Sequence, residues 1–162
     1  MDHEKQAIDP LVANDFDVPL GLSHPDFVLH PLGPEHDEMD YRAWTSSIDH
    51  IRASPGFGPH RNWPTADLSP AENLRDLEMH ARDHEARTGF TYTVLDADTS
   101  VIGCVYIYSD PTGEAPVEVR SWVTADRAEL DPVLRQAVDA WLRDRWPFPS
   151  WRYAGLESPR SR

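Results

Sequence analysis

Cysteine is nearly absent from this sequence of 162 residues, and the single example, Cys104, has no partner for an internal disulfide. A chain of this kind suits a reducing compartment, and we expect a cytoplasmic protein. Cys104 lies within an apolar segment, so a small buried hydrophobic residue is a better interpretation of it than a nucleophile.

The sequence also lacks a surplus of positive charge. Its 15 lysines and arginines are outnumbered by 28 aspartates and glutamates, which gives a formal net charge of −13. Because nucleic acids and anionic membranes attract basic proteins, we expect neither as a partner. No apolar run approaches the roughly 18 residues of a membrane span, and no secretory leader pattern opens the chain.

Familiar catalytic motifs are missing too. There is no nucleophile elbow, Walker loop or dinucleotide-binding glycine fingerprint. His80 and His84 have a spacing that can hold zinc, but Ala81 stands where a metalloprotease has its catalytic glutamate. No further ligand lies at a usual spacing, so we expect no metal. A solvated, charged helix face explains the two histidines better.

Three strands are predicted between residues 90 and 124. Residues 90–95 and 101–108 are rich in β-branched and aromatic side chains and flank a short polar turn, which predicts an antiparallel hairpin. Residues 117–124 alternate apolar and polar side chains, which is typical of a half-buried strand. Such a meander needs cover for its apolar face, and three helical segments could supply it.

The three predicted helices begin at Pro34, Pro70 and Pro132, because proline is favoured in the first turn. Ser69 and Asp131 precede the second and third helices as N-cap residues. The first helix is predicted to continue without a break until just before residue 55. Short strands are predicted at residues 27–32 and 151–156.

The first 26 residues are polar, interrupted by prolines and without periodicity. This composition predicts an extended or partly disordered arm that adds little to the core. We therefore expect one domain, over residues 27–162.

The predicted order of strand, helix, helix, three strands, helix and strand resembles that of the GNAT-type N-acetyltransferase superfamily, in particular a short bacterial branch. The segments that carry the resemblance are residues 29–36, the hairpin at 90–108 and residues 119–123 before the long helix 132–146. The resemblance covers most of residues 27–156. It implies an α/β fold with a mixed, mostly antiparallel sheet flanked by helices. The fold is expected to be C-terminally short, since the family has a further helix, often with a tyrosine as general acid, beyond this point.

The resemblance implies an acetyl-CoA-dependent N-acetyltransferase that acts on a small-molecule or peptide amine, and it leaves a homodimer open. In the family the pantetheine arm lies between the fourth and fifth strands, here 117–124 and 151–156. The expected cofactor-binding residues are therefore Trp122, Val123 and Thr124, followed by Arg127 for the phosphates.

Three further residues are candidates for the acceptor side of such an enzyme. Glu118, a carboxylate on a half-buried strand, is the candidate general base, although it could equally be a solvent-facing strand residue. Phe57 and Trp63 lie in the long loop 54–68 and would line the substrate site. Simple packing of two aromatic side chains would also explain them.

The family's pyrophosphate loop, Arg/Gln-x-x-Gly-x-Gly/Ala, is matched in this chain at Arg127 alone. Leu130 and Pro132 occupy the two glycine positions, and Pro132 has no N–H group to donate to a phosphate. Glu129 and Asp131 add negative charge at the same place. The alternative hypothesis is therefore a catalytically inactive GNAT-fold binding or interaction module with a lost pyrophosphate loop.

Overall fold

The computed structural model describes residues 8–59 and 61–162, so the predictions for residues 1–7 lie outside the described part. In the described residues seven strands lie side by side in chain order: β1 Leu22–His24, β2 Phe27–Pro31, β3 Phe90–Leu95, β4 Val101–Ser109, β5 Val117–Val123, β6 Ser150–Tyr153 and β7 Arg160–Ser161. Neighbouring strands are antiparallel, except that β5 and β6 are parallel. The predicted mixed sheet and its central meander are confirmed.

Helices cover both faces of the sheet. Their bounds are α1 Asp37–Thr45, α2 Ile48–Ala53, α3 Pro70–Ala86 and α4 Asp131–Arg145, with two 3₁₀ turns at Pro34–His36 and Ala125–Leu130. One core cluster packs between the sheet and α4, and a second packs between the sheet and α1 to α3. Because side chains alternate along β5, Val119 and Val123 belong to the first cluster and Trp122 to the second.

The prediction of one continuous first helix is wrong. The structure divides it into α1 and α2, with Ser46 and Ser47 between them. The Thr45 hydroxyl donates to the Tyr41 carbonyl, and the Ser46 hydroxyl donates to the Ala43 carbonyl. Side-chain hydroxyls that bond backbone carbonyls in this way compete with the helical ladder.

The two predicted N-caps have different outcomes. Ser69 caps α3, since its side chain accepts a hydrogen bond from the Glu72 N–H at 3.2 Å. Asp131 does not cap α4, because α4 continues directly from the preceding 3₁₀ turn and Asp131 lies inside the first turn. Its carboxylate instead contacts His50 Nε2 at 2.9 Å.

The prediction that the N-terminal arm adds little to the core is wrong for its described residues. Val12 is 6% exposed and belongs to the core cluster beneath α4. The Arg87 guanidinium donates to the carbonyls of Ala13 and Phe16, and the Tyr92 hydroxyl donates to the Pro19 carbonyl. Side chains of the folded domain thus hold the arm by hydrogen bonds to its backbone carbonyls. A segment fixed in this way needs no periodic hydrophobic pattern, so the sequence alone does not reveal that it is packed.

In the part of the chain that the structure describes, no helix is both long enough and apolar enough to cross a membrane.

Candidate functional site

A gap opens between the two parallel strands β5 and β6. Their pairing is limited to Glu118 with Arg152 and Val119 with Tyr153, after which the Ala154 N–H donates to the Val119 carbonyl at 3.0 Å. β5 continues to residue 123 while β6 ends. Alternate peptide groups of a strand point to the same side. The Val119 peptide group faces β6, so the peptide groups of residues 121 and 123 face the gap.

The far end of this gap, at the start of α4, is filled by the protein's own groups. The Ala125 N–H donates to the Ser47 hydroxyl at 2.8 Å, and the Arg127 N–H donates to the Thr124 carbonyl at 2.9 Å. The Asp131 carboxylate adds a negative charge in the first turn of α4. Amide donors and positive charge are what a pyrophosphate needs at a helix start, so these residues do not fit one.

The four predicted cofactor-binding residues are not gathered at one site. The Arg127 guanidinium is bonded to Asp96 at 3.0 Å, in the turn between β3 and β4. The Trp122 side chain lies on the α1–α3 side of the sheet, where its Nε1 donates to the Tyr106 hydroxyl. Of the four residues, Val123 alone turns its peptide group toward the gap. The Thr124 N–H donates to the Ile102 carbonyl on the other side of β5.

A cavity of about 390 Å³ lies on the α1–α3 side of the sheet, next to β4 and β5. Its aromatic walls include Phe57 and Trp63, the two predicted substrate-binding residues, together with Tyr106 and Tyr108. Gly56 has a φ of +89°, and a Cβ there would lie 2.9 Å from the Ala154 Cβ. Glycine therefore allows the loop to approach the end of β6 and to place Phe57 in the cavity wall.

A buried carboxylate, Asp40, also lines this cavity. The side-chain Nδ2 of Asn73 donates to Asp40 Oδ2 at 3.3 Å and to Asp37 Oδ1 at 2.8 Å. The Trp44 indole donates to the side-chain Oδ1 of Asn73 at 2.9 Å. These contacts hold Asp40 in place. Burial raises its pKa from 3.8 to about 7, although the Asn73 hydrogen bond acts in the opposite direction.

Glu118, the candidate general base, is surrounded by arginines. Its Oε1 contacts Arg61 at 3.1 Å and Arg120 at 3.7 Å, and its Oε2 contacts Arg152 at 3.0 Å. A carboxylate whose two oxygens are both engaged by guanidinium groups has neither oxygen free for a substrate, so this geometry favours the role of counter-ion.

The interpretation of His80 as part of a solvated helix face is wrong. Its Nδ1 lies 2.8 Å from the Tyr108 hydroxyl and 3.1 Å from the Thr91 hydroxyl, and burial lowers its pKa to about 4. His80 is therefore a neutral ring in the cavity wall near pH 7. Among residues 8–59 and 61–162, no group of three or more His, Cys, Asp or Glu side chains is placed to hold a metal ion.

The sequence prediction missed Asp40, although a signal was present. Asp40 precedes Trp44 by four residues, so both lie on the same face of α1. A carboxylate on the buried stripe of a helix is unusual, and such residues are often functional. Tyr106 and Tyr108 gave a weaker signal, because aromatic residues are ordinary in a strand.

Several solved structures of acetyltransferases are similar to this chain. The ribosomal-protein-S5-alanine acetyltransferase from Vibrio fischeri has a TM-score of 0.60 and 14% identity, over 76% of this chain and 67% of its own. RimL, a ribosomal alpha-N-protein acetyltransferase, has a TM-score of 0.55 and 14% identity, over 76% and 61%. The Microcin C7 self immunity acetyltransferase MccE, solved with acetyl-CoA and AMP, has a TM-score of 0.58 and 14% identity, over 77% and 66%.

These matches show that the chain has the GNAT fold, as predicted. The matched part of the chain spans about two thirds of the length of these acetyltransferases, from 61% to 67%. No protein-family model matches the sequence, and no curated protein matches it.

Proposed function

We propose that this protein is an N-acetyltransferase that acts on a small amine bound in the aromatic cavity. The observation that carries the proposal is the position of β5. One edge of this strand borders the gap next to β6, and Arg120 on its face lines the cavity. An acyl donor in the gap and an acceptor in the cavity would therefore meet at the same strand, which is the proximity that group transfer requires.

Acetyl-CoA is the donor that the fold suggests, and it would supply an acetyl thioester. The residues fit its pantetheine arm, because the peptide groups of residues 121 and 123 face the gap beyond the last strand pair. The residues do not fit the pyrophosphate of acetyl-CoA. The Ala125 N–H already donates to Ser47, and Pro132 has no N–H to donate. Losing two charge-assisted hydrogen bonds of roughly 1.5–3 kcal/mol each weakens binding on the order of a hundredfold or more.

The contents of the cavity support an amine as the acceptor. Its apolar and aromatic walls suit the body of a small molecule, and the Asp40 carboxylate suits a cationic group. Trp63 offers the largest ring face among the lining residues, and cations favour the face of a tryptophan.

The test is thiol release with a panel of primary amines, using acetyl-CoA and S-acetyl-pantetheine as alternative donors. We expect N-acetylated product from both, with kcat/KM values within about tenfold of each other, because the phosphates add little binding. Trp63→Ala should raise the KM for the amine and leave the KM for the donor unchanged. Asp67→Asn, in the exposed part of the same loop, is the matched control.

A catalytically inactive binding module is the second candidate. The observation that favours it is the hydrogen bond between Ser47 and Ala125, which closes the phosphate end of the gap. This candidate predicts that amines bind to the cavity while no thiol is released from either donor. Product formation by the purified protein would eliminate it.

A further inference from the structure

The cationic and anionic side chains that line the cavity differ in whether they have an ion-pair partner. Arg61 and Arg120 both line the cavity, but each is paired with Glu118, at 3.1 Å and 3.7 Å. Asp40 and Asp76 line it too, and neither forms a salt bridge with any residue that the structure describes. Asp40 and Asp76 are therefore the carboxylates of the cavity wall that have no cationic partner among the described residues.

The two carboxylates differ in position. Asp40 is 4% exposed, whereas Asp76 is half-buried. Among the described residues, Asn73 alone donates to the Asp40 carboxyl, and it does so at Oδ2. Oδ1 accepts no hydrogen bond from them, and Asp40 lines the cavity.

We propose that the cavity takes a protonated amine on an apolar body, and that Asp40 holds the ammonium group and accepts its proton. The inference rests on the proposed function and names both its substrate class and its base. The Asp40 carboxylate takes one proton from R–NH₃⁺, which leaves R–NH₂ with a free lone pair and a neutral carboxyl group. The second proton that nitrogen loses when the amide forms leaves on the thiol product. Asp40 returns its own proton to solvent.

The titratable groups around Asp40 are consistent with this role. Asp37 on the same helix and Asp76 on α3 both act to raise the Asp40 pKa, in addition to burial. On β4, burial raises the pKa of the Cys104 thiol and of the Tyr106 hydroxyl, so both remain neutral near pH 7. A base with a pKa near the working pH combines a usable proton affinity with a large unprotonated fraction.

The other charged groups of the cavity do not compete for the proton. On α3, burial lowers the pKa of His80 to about 4, and the ring is hydrogen-bonded to Tyr108. From β5, the Arg120 guanidinium lies over the rings of Phe57 and Tyr106, at 4.9 Å and 5.3 Å from their centroids. The neutral ring and the paired arginine leave Asp40 as the buried group that can change charge near neutrality.

The experiment is calorimetric titration without any acyl donor, with phenylethylamine as the probe and its neutral analogue phenylethanol for comparison. We expect Asp40→Asn to weaken amine binding by at least about tenfold, since it removes a charge-assisted hydrogen bond, and to leave phenylethanol binding unchanged. The amide can still accept the hydrogen bond from Asn73, so the fold should survive, as circular dichroism would verify. Asp49→Asn, on the exposed side of α2, makes the same charge change as a control.

The pH profile of thiol release then separates binding from proton transfer. The wild-type kcat/KM should rise with an apparent pKa near 7, and Asp40→Asn should lose this limb while Asp40→Glu retains it. Equal amine binding by wild type and Asp40→Asn, or no amine binding by wild type, would overturn the inference. Amine binding that depends on Asp40 without thiol release would instead overturn the proposed function and leave the amine recognition standing.

Discussion

The hydroxyl of Ser47 accepts a hydrogen bond of 2.8 Å from the N–H of Ala125. This bond ties the break between α1 and α2 to the turn that follows β5. The N–H lies where an anion would be cradled ahead of α4, so the bond closes the phosphate end of the gap. Ser47 is 3% exposed, and solvent does not compete for the contact.

Ser47→Ala should release this N–H and strengthen acetyl-CoA binding. One hydrogen bond contributes about 1 kcal/mol, so we expect the dissociation constant to fall by roughly fivefold. S-acetyl-pantetheine has no phosphates, and its dissociation constant should not change. Calorimetry with both ligands measures the effect, and Ser23→Ala at an exposed position of β1 is the control. Equal gains for the two ligands would show that Ser47 does not guard a phosphate site.

Glu118→Gln distinguishes a counter-ion from a base. It removes the negative charge that Arg61 and Arg120 share, so the positive charge beside the cavity increases and the KM for the amine should rise by several-fold, about 1 kcal/mol in binding. The pH limb near 7 should persist, because its source is Asp40. Glu114→Gln, at an exposed contact of Arg152, is the matched control. Loss of the limb in Glu118→Gln would identify Glu118 as the base after all.

The packed arm predicts a stability effect. Val12→Ala should lower the free energy of unfolding by roughly 1–2 kcal/mol, since Val12 is 6% exposed within the core. That corresponds to about 3–6 °C in Tm for a domain of this size. Leu20→Ala, at an 87% exposed position of the same arm, should change Tm by less than about 1 °C. Differential scanning calorimetry measures these Tm values. Equal Tm values for both variants and wild type would show that the arm is not packed against the core.

Asp40 also predicts how stability depends on pH. The Asp40 pKa is about 7 in the folded protein and 3.8 in the unfolded chain. Between pH 3.8 and pH 7 the folded protein therefore keeps a proton that the unfolded chain releases. Stability therefore falls as the pH rises through this window, by an amount on the order of 4 kcal/mol. We expect the Tm of Asp40→Asn to exceed that of wild type by several degrees at pH 8 and by little at pH 4.

His80 affects stability in the opposite direction. Because its pKa is lowered from 6.5 to about 4 in the folded protein, its contribution to stability is lost as the pH falls from 6.5 to 4. The two proteins share His80, so its effect cancels in their difference. A Tm difference that stayed constant from pH 4 to pH 8 would contradict the burial of Asp40.

The sequence was informative where local chemistry alone decides the structure. Alternation and turn residues predicted β3, β4 and β5, and the Ser69 cap predicted the start of α3. It was uninformative where distant residues decide, as with the arm that Arg87 at the end of α3 and Tyr92 on β3 hold in place.

The candidate site shows the same division between local and distant causes. Phe57 and Trp63 were found because aromatic residues in a long loop stand out, and they line the cavity. Asp40 was missed, because its environment comes from α3 and β4, far away in the chain. Its spacing from Trp44 places Asp40 on the buried face of α1, but that spacing does not show which groups of α3 surround it and raise its pKa.

End-point mass spectrometry with an isotopically labelled acetyl donor and phenylethylamine tests directly whether this protein transfers an acetyl group to an amine. We expect the labelled acetyl group on the amine nitrogen, from acetyl-CoA and from S-acetyl-pantetheine alike. The yield should drop by at least about tenfold in Asp40→Asn and be unchanged in Asp49→Asn. The absence of labelled product at millimolar donor, from a protein that binds the amine, would show that this protein is not an acetyltransferase for such amines.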